Sequence, residues 1–201
     1  MADEFFRPSD SRSVKLLTDR KYLDLDLNGL DAKFSGNLNI NVNGKNYKTI
    51  LIPSLTKKLY IFLSAAAASP ANSVPYPLFF RMTWSNFIDG ICLYLDDINR
   101  QSTFNGPTFF VGNRGEDFFA YLAIIRKIAL THKIDNNDIC FVSSSNGGFA
   151  SILLCNLIHG SRCISFNGQL SIPVFFNPPM MEDKKTLFET FFNLDRNKLL
   201  P

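Results

Sequence analysis

Two five-residue runs, LYIFL at 59–63 and ICLYL at 91–95, are apolar at every position. A strand with one wet face alternates polar and apolar residues, so a run without alternation is covered on both sides. Sheets covered on both sides are mostly parallel, and parallel strands need long crossovers, as a rule helices. The intervening sequence has that form. GEDFFAYLAIIRKIALTH places Phe118, Tyr121, Leu122, Ile125, Ile128 and Ala129 at helical spacing, and KIDNND breaks the pattern. ICFVS then reads as a strand, GGFASILLCNLIHG as a helix closed by Gly160, and RCISFNG as another strand. This rhythm predicts an α/β fold, a mostly parallel sheet with helices on both faces. The expected strands include 59–63, 91–95, 139–143 and 162–166.

Upstream, FSGNLNINV and KNYKTILIP alternate on either side of Asn43-Gly44, which predicts an N-terminal β-hairpin. Residues 1–20 read as a polar lead-in and 21–201 as a single domain, without internal repeat or linker. EDKKTLFETFFNL at 182–194 reads as a last amphipathic helix, opened by acids that suit a helix N-terminus.

The 201 residues suffice for one real core. At 46% hydrophobic and 19% charged, the chain is too apolar for disorder. A net charge of +3, from 21 basic and 18 acidic residues, gives no ground for a nucleic-acid partner. The longest apolar stretch, LYIFLSAAAA, is about half a membrane span. MADEFFRPSD is acidic and polar where a secretory signal would be basic and then apolar. The four cysteines lack metal-type spacing, and Cys92, Cys140 and Cys163 fall in expected strands, where a thiol serves as a small hydrophobe. A cytoplasmic protein without metal or cofactor is the expectation. The 20 phenylalanines imply an aromatic core, or some of them line an apolar pocket or a partner surface.

Chemistry concentrates in CFVSSSNGGFAS, at 140–151. Three serines end an expected strand and two glycines open the next helix, at the sheet edge where open α/β folds bind ligands. Ser143-x-Ser145-x-Gly147 matches the nucleophile-elbow pattern G-x-S-x-G, with serine in the first glycine's place. So tight a turn demands small residues two before and two after the nucleophile. Ser145 would sit at its tip, and the Asn146 amide would be one oxyanion donor. Ser64 or Ala65, in LSAAAASP after the earlier strand, would offer the second. Two other readings stand beside this one. A glycine-rich turn can cradle a phosphate, although no lysine follows Gly148 to complete a Walker A pattern. The glycines can also serve only to pack the helix closely on the sheet.

FLSAAAASP, FFRMTW (Phe79, Arg81, Trp84), LYLDD, FFVGNRGEDF and SSSNGGFAS follow one another in that order. From Lys58 to Gln169 this succession resembles the α/β-hydrolase superfamily, and more narrowly the α/β-hydrolase-like proteins of bacterial surface-polysaccharide gene clusters. The resemblance implies a serine enzyme that forms or cleaves acyl esters, an esterase or an O-acyltransferase acting on a surface glycan. Its partner would be a small-molecule or glycan ester. The alternative is a catalytically inactive binding or scaffold protein of the same fold.

A serine nucleophile needs a base within hydrogen-bond reach. The sequence has two histidines. His159 closes the helix that Ser145 opens and lies roughly 18 Å away. His132 ends the preceding helix, at the same far side. In the superfamily the histidine comes after two further strands, which residues beyond Pro179 do not offer. The expectation is a chain missing its C-terminal third, or one that is catalytically dead as it stands, and the first fits better. Around the serine, Asp96 and Asp97 end a strand as a solvated turn or as a substrate contact. Arg81 pairs with a substrate anion or with one of those aspartates. Asn113 and Arg114, with Gly115, form a polar loop that is a further candidate contact. The strand at 162–166 lacks a guarding lysine or proline and, if it forms an edge, is expected to self-associate or to be covered by a partner or by the final helix.

Overall fold

The two fully apolar runs lie at the centre of a seven-stranded sheet. The structure, a computed structural model, describes residues 21–65, 77, 79–98, 110, 112 and 115–168. In chain order its strands are β1 (Leu23–Asp26), β2 (Gly36–Val42), β3 (Lys45–Ile52), β4 (Leu59–Leu63), β5 (Ile91–Leu95), β6 (Ile139–Ser144) and β7 (Arg162–Phe166). Across the sheet the order is β1-β2-β3-β5-β4-β6-β7. Only β3 runs against its neighbours, and the other pairs are parallel. Three of the four expected strands have the expected bounds, and the one at 139–143 runs one residue further, to Ser144.

β2 and β3 pair with Val42 opposite Lys45, so only Asn43 and Gly44 connect them. Both take positive φ, 53° and 83°. A two-residue connection that follows the strands' right-handed twist requires this, and Asn and Gly adopt it at least cost. The Gly44 amide donates to Asn41 Oδ1 at 3.1 Å.

Strand alternation divides the core in two. Leu59, Ile61, Leu63, Ile91, Leu93, Leu95, Ile139 and Phe141 enter one cluster, and Phe62, Cys92, Tyr94 and Val142 enter another. Hence the polar-free runs: each of their faces is covered. The larger cluster contains residues of α1 (Glu116–His132) and α2 (Ser145–Leu157), such as Ile124, Ile128, Ala150 and Leu154. The smaller is covered by Phe79 and by Met82 of the short 3-10 turn Met82–Asn86.

The sequence predicts helices on both faces. Among the described residues both helices lie on the same one. Right-handed crossovers account for this. The steps β5 to β6 and β6 to β7 go the same way across the sheet, so their helices share a face. The step β4 to β5 goes the other way, and Phe79 and Met82 of its connection pack on the opposite face. The expected last helix at 182–194 and the lead-in at 1–20 lie outside the described residues. No helix among the described residues is long and apolar enough to cross a membrane.

The start of α1 is tied to the sheet. Asp117 is fully buried and accepts from Lys45 Nζ at 2.5 Å and Tyr47 Oη at 2.6 Å. A buried carboxylate so placed needs both partners to offset its lost hydration.

Candidate active site

β4 and β6 are neighbours, yet the chain leaves β4 towards β5 and leaves β6 towards β7, in opposite directions. Such a divergence opens a crevice above the strands' C-terminal ends. Residues 64–65 and 143–148 meet there. The β4–β6 pairing runs through Leu59↔Ile139, Tyr60↔Cys140 and Ile61↔Phe141. Above it, the Leu63 amide donates to the Ser143 hydroxyl at 3.0 Å, and the Ser151 hydroxyl of α2 donates to the same oxygen at 2.8 Å. Ser143 is fully buried. It gives a reason for serine where the elbow pattern has glycine: the hydroxyl takes an amide that would otherwise be buried and unpaired.

Ser145 opens α2 with φ of 54°, in the left-handed region, and is partly exposed. A non-glycine residue held there costs roughly 1–3 kcal/mol, which the surroundings must offset. A Cβ on Gly147 would stand 2.6 Å from the carbonyl oxygens of Leu63 and Ser64. The first turn of α2 thus rests directly on the end of β4. A Cβ on Gly148 would run into the Ser165 hydroxyl and come within 3.1 Å of Gly168 Cα.

Asn146 is buried, and its side-chain Oδ1 has no hydrogen-bond partner among the described residues. Of the two amides expected to join Asn146 around an oxyanion, that of Ser64 donates to the Leu95 carbonyl at 3.1 Å, and the Ser64 hydroxyl does the same at 3.0 Å. Ser64 is thereby tied to β5, and Ala65 is the next residue beyond it. Asp96 and Asp97 are buried and do not form a solvated turn. Asp96 Oδ1 accepts from the Asp97 amide at 2.9 Å, and Asp97 Oδ2 from the Phe110 amide at 3.1 Å. Asn113 and Arg114 lie outside the described residues.

Arg81 reaches the serine turn. Its Nη2 donates to the Ser144 hydroxyl at 3.1 Å, and its Cζ lies 5.3 Å and 5.6 Å from the ring centres of Trp84 and Phe166. Neither aspartate is its partner. The backbone of Arg81 is also left-handed, with φ of 59°. The Tyr94 hydroxyl points between the carbonyls of Arg81, at 3.4 Å, and Met82, at 3.5 Å. Burial, and then the nearby Cys92, push the Tyr94 phenol up, which keeps this donor protonated. The side-chain partners of this corner, Ser151 and Phe166, escape sequence reasoning. Ser151 had one signal, a hydroxyl in the apolar stripe of its helix.

The histidines lie elsewhere. His132 is the last residue of α1, and burial lowers its pKa while Asp31 opposes the shift. His159 follows the end of α2, and its carbonyl accepts from Asn136 Nδ2 at 3.1 Å. The 13 residues of α2 put about 20 Å between Ser145 and that end. Among the described residues no group of histidine, cysteine and acidic side chains is arranged to hold a metal.

No family model matches the chain, and no curated protein matches it. Solved structures do. The capsule O-acetyltransferase of Neisseria meningitidis serogroup A superposes with a TM-score of 0.56 at 16% identity, over 84% of this chain and 63% of that one. The same enzyme in complex with caged gadolinium gives 0.54 at 16%, over 76% and 64%. A histidine-to-alanine mutant of it in complex with CoA gives 0.55 at 17%, over 85% and 66%. The chain spans less than two thirds of the length of these structures. At such identity the likeness is one of architecture: the chain has the fold of a bacterial capsule O-acetyltransferase across most of its own length.

Proposed function

We propose that the chain is a serine-dependent O-acyltransferase of the α/β-hydrolase kind, acting on a bacterial surface glycan, with a CoA thioester as acyl donor. One observation carries the reading: Ser145 is held in a left-handed conformation at the crevice between diverging strands, with Gly147 pressed against the end of β4. The fold it shares with a capsule O-acetyltransferase, one structure of which holds CoA, supports the substrate class.

In this reading the Ser145 hydroxyl attacks the thioester carbonyl. The carbonyl oxygen, now negative, lies at the helix start against the amide of Asn146. Collapse expels the thiolate, which takes up the serine's proton by way of a base, and leaves an acyl-serine ester. A sugar hydroxyl then attacks that ester, its proton passing to the base, and Ser145 is regenerated as the glycan ester departs. Water in the sugar's place makes the same site an esterase. Neither histidine of the chain is near enough to be the base, which favours a second reading, a non-catalytic glycan-binding protein.

A fluorophosphonate probe separates the two. Labelling of Ser145 is expected to be weak, to rise when imidazole is supplied as an external base, and to vanish in Ser145→Ala. Absence of labelling with and without imidazole removes the enzyme and leaves the binding protein.

A further inference from the structure

Arg81 is the second non-glycine residue with a left-handed backbone at this corner, and its guanidinium lies one residue from Ser145. Among the described residues no carboxylate faces it. One of its five N–H groups is engaged by Ser144, and a guanidinium is built to grip planar anions with several at once. The residue is also carefully supported. The Tyr94 hydroxyl lies beside its carbonyl, and a row of rings crosses the face beneath: Tyr94 stacks on Phe62 at 4.7 Å, Phe62 meets Trp84 edge-on at 6.4 Å, and Trp84 meets Phe166 edge-on at 6.4 Å. The two outer rings remain 41% and 45% exposed even with the guanidinium over them. A strained backbone, a cation with no counter-charge among the described residues and two open aromatic surfaces beside Ser145 have no use in stability.

We propose that Arg81, Trp84 and Phe166 form the acceptor subsite for an anionic sugar. The C–H face of a pyranose ring packs on the exposed ring surfaces, and the Arg81 N–H groups that Ser144 does not engage hold a carboxylate or phosphate borne by that sugar. The sugar's hydroxyl is thereby brought beside Ser145. This deepens the reading of Ser145 as an acyl carrier and rests on it for the transfer step, but the binding itself does not need the serine.

Trp84 is the only tryptophan in the sequence, so its fluorescence reports on this subsite alone. Titration of the Ser145→Ala chain with a hexuronic-acid oligosaccharide and with a hexose phosphate should give a saturable change. Matched neutral sugars should bind at least tenfold more weakly. Raising salt from 50 to 500 mM should weaken the anionic sugars several-fold and leave the neutral ones unchanged, because an ion pair at a part-exposed site is screened. Arg81→Gln should abolish the difference between the two sugar classes. The comparison of charged with neutral sugars uses the native Arg81, so it stands even if Arg81→Gln fails to fold. Equal response to both classes, or none, overturns the proposal. So does a response to CoA or pyrophosphate without one to anionic sugars, which would assign Arg81 to the donor. Loss of probe labelling at Ser145 with the titration intact would fail the enzyme and not the subsite.

Discussion

Glycine at 147 is required by space and not by backbone freedom. Its φ is not in the left-handed region, and the atoms that a methyl group would strike are backbone carbonyls, which cannot swing aside as a side chain could. Gly147→Ala should destabilise the fold by about 1–3 kcal/mol, as overpacking does. A urea midpoint is the check, with Gly29→Ala, where nothing lies within 4 Å, as a control expected to change little. This requirement was legible in the sequence because a tight strand-to-helix turn fixes residue sizes at fixed offsets from Ser145. The roles of Ser143 and Arg81 were not. A serine that supplies a missing bond to a strand looks the same in sequence as one that tolerates a turn. A left-handed arginine carries no local signal, since the tyrosine beside its carbonyl comes from β5. Asp96 and Asp97 read as a solvated turn because acidic pairs usually are. The Phe110 amide that holds one of them inside comes from 13 residues away.

β5 shows what burial on two faces does to chemistry. Cys92, at its second position, is fully buried, and burial pushes its thiol from 9.0 to about 11, against a smaller lowering by the hydrogen bond with Tyr94. The folded chain therefore binds this proton more tightly than the unfolded chain. The stabilisation is complete below pH 9 and is lost as pH rises through about 11. Its full size is on the order of 2–3 kcal/mol. Denaturation midpoints at pH 8, 10 and 11 should fall in that order, and Cys92→Ala should remove part of the fall. A flat profile would mean that the thiol ionises without cost. The apolar runs made β4 and β5 easy to find, because no polar residue interrupts them. The distribution of helices between the faces was harder to read. It follows from strand order, and strand order depends on pairings between residues far apart in the chain.

For the molecule as a whole, β7 is the last strand on its side among the described residues, and it exposes Ile164 and Phe166 at 49% and 45%. An unpaired edge with apolar side chains invites a second chain. Light scattering across a concentration series should show the mean mass rising. A constant monomer mass, with the amides of 162–166 exchanging freely, would rule out this association. The other side of the sheet ends in β1, whose LDLD alternates leucine with a charge that discourages pairing. Ser143 also bears on how the sheet itself can move. β4 stays paired with β5 up to Leu63↔Leu95, and β6 with β7 up to Ser144↔Phe166, but between β4 and β6 the register ends at Ile61↔Phe141. Two halves of the sheet thus meet along a seam closed at the top by the Ser143 hydroxyl and by the first turn of α2, packed on the end of β4. Anything that enters the crevice therefore presses on packing and on one side-chain bond, and not on a backbone ladder.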